Sequence, residues 1–202
     1  MTKQSFVQGA LVLFISGIIV KIIGFIFQIA VIRLIGTEPV GIYNMVFPVY
    51  MTVIVISTAG LPLAISKMVA QQIGLGNLGG ALKIFKIALT ILIILSIFFT
   101  ATLLFISPLL LKSLYNDPRV LWCFYAMIPG IIIVPICSAF RGLFQGLQEM
   151  LVPAVTQCIE QIVRISTALF LIKLLKPYGI KMIAVGLSLS MILGEFIGLL
   201  LI

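Results

Sequence analysis

Long, uninterrupted apolar runs constrain the fold of this chain more than any other feature of its sequence. The first run, residues 5–35, is almost wholly apolar and has a lysine, Lys21, near its middle. About 20 apolar residues suffice for a helix to cross a bilayer. Only 9% of the residues are charged, whereas about a quarter are charged in a soluble domain. Because the runs do not alternate, they do not fit a β-barrel, and they predict an all-α, polytopic transmembrane helix bundle.

The 202 residues have room for about six spans when their connections are short. The predicted spans are 5–35, 40–66, 87–111, 120–140, 152–172 and 182–202. A polar, glycine-rich stretch at 67–86 predicts a loop that leads into the start of an amphipathic helix. The last run reaches Ile202 with no polar or aromatic anchor after it. We therefore expect residues 1–202 to form a single transmembrane domain and to be a fragment of a longer chain.

Four prolines lie within the second and fourth predicted spans: Pro48, Pro62, Pro129 and Pro135. A proline inside a helix removes a hydrogen bond and bends the chain. Such bends are tolerated in membranes where neighbours or a cavity satisfy the freed backbone groups. We interpret the four prolines as hinges of a transporter or channel, with bends that only aid packing as the alternative.

Lys21 is the first of three charged sites inside the predicted spans. A charge at the bilayer centre costs at least about 2.5 kcal/mol, so it usually faces a protein interior or a watery cavity. Gly17, Gly24 and Gln28 lie at offsets of −4, +3 and +7 from Lys21 and give it a small, polar helix face. This face favours a cavity for an anionic ligand over the alternative, a lysine that extends to the headgroups.

The fifth predicted span has a polar stripe on one helix face. Four side chains at i, i+3, i+4 and i+7 form it: Gln157, Glu160, Gln161 and Arg164. The spacing predicts an ion pair between Glu160 and Arg164 within the helix. We expect the stripe to line the same cavity as Lys21; the structural alternative is that the ion pair within the helix is simply buried between neighbouring helices.

Glu195 is the third charged site and lies in the sixth predicted span. It is one position away from a stripe of small residues that recur every four positions: Gly186, Ser190, Gly194 and Gly198. Small residues of this kind allow close helix contact in membranes. Glu195 is a candidate for coupling transport to a cation.

Several kinds of chemistry are disfavoured by composition. The chain has no histidine and only five acidic residues, so it lacks the usual general base and the commonest metal ligand. Its three cysteines have no paired spacing. The net charge of +8 is explained by headgroup anchoring and topology, together with an anionic substrate, because almost no soluble surface remains for nucleic acid. We expect a protein that is not an enzyme and has no cofactor, metal or nucleic-acid partner.

Four ordered segments resemble a known family. They are 36–43 (GTEPVGIY), 59–67 (AGLPLAISK), 141–146 (RGLFQG) and 160–165 (EQIVRI). Together they resemble the stage V sporulation protein B group of polysaccharide transporters, within the multidrug, oligosaccharidyl-lipid and polysaccharide exporter superfamily that includes the lipid II flippases. The resemblance extends from Ser5 to the end of the chain.

The resemblance implies two pseudo-symmetric helical lobes around a central cavity that opens to each membrane face in turn. This chain would be the N-terminal lobe, in the bacterial cytoplasmic membrane, with a cytoplasmic N-terminus. Lys21 matches a basic residue that in the related flippases faces the cavity and meets the substrate pyrophosphate. The next basic position of that group is apolar here, around Phe27, and a neighbouring acid is Gln28.

The resemblance predicts a flippase for a lipid-linked saccharide, in cell-wall, peptidoglycan or spore cortex synthesis. Its expected partners are a lipid-linked saccharide with a pyrophosphate headgroup, membrane lipids and a C-terminal lobe. One alternative is a cation-coupled drug exporter, for which Glu160 and Glu195 are the only acids within the spans. Another is a non-transporting membrane assembly partner.

Overall fold

A computed structural model describes residues 6–58, 60–115 and 117–202, with the side chain of Phe6 left out. Residues 5 and 59, which belong to the first two predicted spans, lie outside the described residues. Within them the structure has eight α-helices and one 3-10 turn, and no strand. The helices are α1 (Phe6–Ile35), α2 (Thr37–Thr58), α3 (Leu61–Gly74), α4 (Leu78–Leu114), α5 (Arg119–Met127), α6 (Gly130–Gly146), α7 (Leu151–Leu175) and α8 (Ile180–Leu201). The 3-10 turn, Lys176–Tyr178, separates α7 from α8.

Five helical stretches are long and apolar enough to cross a membrane. They are Val7–Ile35, Thr37–Gly74, Leu78–Leu114, Arg119–Gly146 and Ile180–Leu201. The remaining helix, α7, is about 37 Å long, but its polar stripe makes it less apolar than the others. It packs between α1 and α8, which shelters that stripe. The predicted all-α transmembrane bundle is confirmed.

Two of the spans are each built from two helices. The left-handed Gly60 (φ 73°) comes directly before α3, and Pro62 lies in the first turn of that helix. Pro129 comes directly before α6. The other two prolines, Pro48 and Pro135, lie inside α2 and α6. Two of the four prolines thus mark helix boundaries, and the role of all four as hinges stays a prediction.

The prediction of a loop over residues 67–86 is wrong in its extent, although a helix does begin within this stretch, at Leu78. Only residues 75–77 separate α3 from α4. The side chain of Asn77 accepts a hydrogen bond from the N–H of Gly80 at 2.8 Å and caps α4, and Gly76 is left-handed (φ 72°). The stretch is polar because helices extend beyond the apolar core, and lysine and glutamine are good helix formers.

Close helix contacts hold the bundle together. A Cβ atom added at Gly142 would lie 2.5 Å from the carbonyl oxygen of Pro62, and one added at Gly146 would lie 2.8 Å from that of Ser66. These two glycines therefore let α6 approach α3. At the side of the bundle, α1 packs chiefly on α7 and exposes large apolar side chains such as Phe14 and Phe25.

Candidate functional site

A groove of about 440 Å³ lies where α1 meets α2, α7 and α8. Its polar lining residues are Lys21, Gln28, Tyr43, Asn44, Gln161, Arg164 and Ser190. Two of these are basic and none is acidic. Phe25, Phe27 and Phe47 add apolar walls. The groove is therefore a positively charged, hydrogen-bonding cleft in an otherwise apolar bundle.

Lys21 lies near the centre of α1 and is exposed. Among the described residues, no carboxylate forms an ion pair with it. Gly24 and Gln28 line the groove with it, whereas Gly17 does not, and a Cβ at Gly17 would meet nothing within 4 Å. A Cβ at Gly24 would lie 3.2 Å from Nε2 of Gln161. Gly24 thus lets α7 approach α1 beside Lys21.

Arg164 contributes the second positive charge of the groove. Its Nη2 donates a hydrogen bond to the Tyr43 hydroxyl at 2.8 Å, and that hydroxyl in turn donates to Sδ of Met191 at 3.5 Å. The tyrosine is neutral, so it orients the guanidinium without cancelling its charge. Lys21 and Arg164 lie on different helices, and the packing of α1 on α7 brings both into the lining of one groove.

The predicted ion pair between Glu160 and Arg164 is wrong. Glu160 pairs instead with Arg141 of α6. The two side chains of α7 extend toward different neighbours, because Arg164 meets α2 and Glu160 meets α6. The i,i+4 contact is a weak preference of about 0.5 kcal/mol, and partners on other helices override it.

Arg141, Glu160 and Glu195 form a buried charge cluster between α6, α7 and α8. Nη2 of Arg141 contacts Glu160 and lies 4.0 Å from Oε2 of Glu195. The three side chains are 19%, 12% and 23% exposed, respectively. A Cβ at Gly198 would collide with the Glu160 carboxylate, so this glycine makes room for the cluster.

Sequence analysis missed Arg141 because it ended the fourth span at residue 140. In the structure α6 continues to Gly146 and carries Arg141 into the bundle. The last two predicted spans contain two acidic residues, Glu160 and Glu195, but only one basic residue, Arg164. Because a buried carboxylate requires a partner, this excess of acidic charge indicated that a further basic residue enters the bundle.

A smaller cavity of about 140 Å³ adjoins the groove and shares Val20, Gln161 and Arg164 with it. Gln157, Glu160 and Glu195 line this smaller cavity only. The predicted stripe is thus divided between two neighbouring spaces. None of the four predicted hinge prolines lines either one.

The cluster also offers a set of metal-ligand atoms. Sγ of Cys137 and a carboxylate oxygen from each of Glu160 and Glu195 lie within 4.8 Å of one another. The Arg141 guanidinium contacts the Glu160 carboxylate and lies 4.0 Å from Oε2 of Glu195, so a positive charge already lies beside these ligand atoms.

Charged side chains within membrane-spanning helices usually mark a substrate or ion pathway. The chain belongs to the polysaccharide biosynthesis protein family, whose family model matches residues 6–202. The resemblance seen in the sequence is therefore confirmed.

Two curated relatives come from Bacillus subtilis (strain 168). Stage V sporulation protein B is 38% identical over 200 residues, which are 99% of this chain and 39% of that protein. Lipid II flippase MurJ is 28% identical over 210 residues, covering 98% of this chain and 38% of that protein. The chain spans about two-fifths of the length of these relatives.

Two solved structures share the fold. An outward-facing multidrug resistance MATE family transporter of the MOP superfamily aligns with a TM-score of 0.77 and 21% identity, over 96% of this chain and 45% of that one. A MOP superfamily transporter from Pyrococcus furiosus aligns with a TM-score of 0.75 and 20% identity, over 96% and 44%. The chain is thus a multi-pass membrane protein of a transporter family, with a fold that matches slightly under half of these transporters.

Proposed function

We propose that this chain forms the substrate-binding N-terminal lobe of a flippase. The flippase moves a lipid-linked saccharide with an anionic pyrophosphate headgroup across the bacterial cytoplasmic membrane, for cell-wall or spore cortex synthesis. The observation that carries the proposal is the groove, with two basic side chains and no acidic one in its lining. In this proposal the N-terminus is cytoplasmic.

Lys21 and Arg164 are suited to hold the pyrophosphate. Lysine acts as a compact point charge, whereas the arginine fork can donate two parallel hydrogen bonds to phosphate oxygens. Neither cation is neutralised by a described carboxylate. Lys21 lies about 21 Å along α1 from either end of the helix, which favours a cavity-lining role over extension to the headgroups.

The neutral polar residues of the groove are suited to the sugar. Gln28, Asn44, Gln161 and Ser190 offer donors and acceptors for hydroxyl groups. In this proposal the polyprenyl tail stays in the lipid, where α1 exposes large apolar side chains such as Ile22 and Phe25. No covalent chemistry is required of the lobe.

Alternating access requires a second lobe and moving elements. The solved transporters are about twice as long as this chain, which supports a transport unit with a further helical half. The breaks between α2 and α3 and between α5 and α6 supply the bending points. Pro62 and Pro129 lie at those breaks, and Pro48 and Pro135 lie within the helices that would move.

Substitutions of Lys21 in the full-length protein test the proposal. Lys21→Arg is expected to keep substantial activity in a cell-wall complementation assay, and Lys21→Glu to abolish it at an unchanged protein level. Lys112→Glu makes the same charge change on an exposed lysine outside the groove and serves as the matched control. Wild-type activity of Lys21→Glu would refute the proposal.

The charge cluster favours a second candidate, a cation-coupled exporter. Its two carboxylates face one guanidinium, and both line the cavity next to Arg164. Transport driven by an imposed proton or sodium gradient, and lost in Glu195→Gln, would favour this candidate. Transport that is independent of both gradients would exclude it.

A further inference from the structure

A second crevice, of about 470 Å³, lies at the end of the bundle where α1 begins. It is bounded by the first turns of α1, the middle of α3, the last turn of α6 and the residues that follow α6. It shares no lining residue with the groove or with the small cavity beside it. Because helix ends of a membrane bundle lie at the interface, we expect this crevice near the level of the lipid headgroups.

Gln148, in the wall of this crevice, has an unusual backbone conformation. Its φ is 62°, and it is the only non-glycine residue with a positive φ among the described residues. The N–H of Gln148 donates to the Gln145 carbonyl at 3.1 Å, and that of Glu149 donates to the Phe144 carbonyl at 2.9 Å. These hydrogen bonds define a helix C-terminal motif in which glycine is the usual residue at the left-handed position. Glutamine at this position places a residue with an amide side chain in the lining of the crevice despite the left-handed backbone.

The polar side of the crevice suits an anion. Among the described residues, Lys67 is the only charged one in the lining; it is exposed and forms no ion pair with a described carboxylate. Ser66, Gln145 and Gln148 surround it with neutral hydrogen-bonding groups. A phosphate with a single negative charge would be held by the ammonium and by the hydroxyl and amide donors.

The other side of the crevice is apolar, with Ala10, Leu13, Ala70 and Met150 in its lining. Met150 is itself buried and close to Gly9 of α1, where an added Cβ would lie 2.8 Å from its Sδ. The crevice therefore joins a cationic, hydrogen-bonding part to an apolar wall within one space. A free phosphate would use only the first part, whereas a phospholipid would use both.

We propose that this crevice binds an anionic membrane phospholipid, with its headgroup phosphate on Lys67 and the start of its acyl chain against Leu13 and Met150. The site is separate from the transport groove, and it does not depend on the flippase proposal. A lipid bound there would fix the relative positions of α1, α3 and α6 at the membrane surface.

Native mass spectrometry of the full-length protein in detergent tests this assignment, with phosphatidylglycerol and phosphatidylcholine as probes. Lys67→Gln is expected to weaken phosphatidylglycerol binding about tenfold, and Lys67→Arg to restore it. Lys83→Gln, an exposed lysine at the same end of the bundle but outside the lining, is the control and is expected to bind as the wild type does.

Gln148→Gly separates binding from folding. Glycine relieves the left-handed backbone, so thermal unfolding without lipid is expected to be unchanged or shifted upward, while phosphatidylglycerol binding falls. Equal losses in Lys67→Gln and Lys83→Gln would overturn the proposal, as would equal binding of the two lipids. Glycerol phosphate that binds as tightly as phosphatidylglycerol would indicate a soluble phosphate site and would also overturn it.

Discussion

The groove and the buried charge cluster use the same helix in two different ways. One turn of α7 separates Arg164, in the groove, from Glu160, in the cluster. In the groove a neutral tyrosine orients the cation. In the cluster two carboxylates face one guanidinium between three helices. The comparison shows that two charges one helical turn apart differ in their surroundings, because α6 provides an opposite charge for Glu160 whereas α2 provides only a neutral hydroxyl for Arg164.

Removing Arg141 is expected to cause the largest effect, because it breaks the cluster and leaves two buried carboxylates without a cation. Arg141→Met should lower the free energy of unfolding by about 3–5 kcal/mol, measured by thermal or chemical denaturation in detergent. Arg33→Met removes an exposed arginine at the end of α1 and should change stability by less than about 0.5 kcal/mol.

The triple variant Arg141→Met/Glu160→Gln/Glu195→Gln removes every charge of the cluster. It should recover much of the stability lost in Arg141→Met, since a buried ion pair gains little over a neutral replacement. Wild-type stability of Arg141→Met alone would show that the cluster is not a paired, buried unit.

A substitution at Gly198 tests the close packing that makes room for Glu160 in the charge cluster. A Cβ there would collide with the Glu160 carboxylate, so Gly198→Ala should cost about 1–3 kcal/mol of stability by pushing Glu160 away from Arg141. Gly17→Ala, in open space within α1, should be neutral or slightly stabilising. Similar destabilisation by both alanines would contradict this account of Gly198.

The smallest expected effect comes from Tyr43→Phe, which removes only the hydroxyl that orients Arg164. The loss of stability should be about 1 kcal/mol. Double-mutant cycles should give a coupling energy of at least about 0.5 kcal/mol between Tyr43 and Arg164, and close to zero between Tyr43 and Arg141. A coupling of Tyr43 to Arg141 as large as that to Arg164 would mean that the groove and the cluster act as one network.

Several features of the bundle follow from sequence patterns alone. The apolar runs are local and strong, so six helical regions were predictable, and the fixed side-chain period of a helix places Lys21, Gly24 and Gln28 on one face. Helix ends were less predictable, because glycine and polar residues in 67–86 resemble a loop by composition. The cap that Asn77 forms with Gly80 shows that the same residues can begin a helix.

The spacing of residues along α7 did not predict which side chains its charged residues contact. In the sequence the basic residue nearest to Glu160 is Arg164, four residues away. In the structure Glu160 pairs with Arg141, which is nineteen residues away in the chain. Which of them a buried acid meets depends on how α6, α7 and α8 rotate and how closely they approach. The glycines of α8 permit that approach, and their effect appears only once the helices are packed.

The sequence by itself determined that the chain is a transmembrane helix bundle with a lysine in the middle of its first helix, since hydrophobicity and helical period act locally. Only the tertiary structure decided which charges are free and which are paired. Among the described residues, Lys21 and Arg164 line a groove without acids, while Arg141 pairs with Glu160 and lies 4.0 Å from Glu195. The physical reason is that pairing depends on distances of a few ångströms between different helices, which sequence spacing does not set.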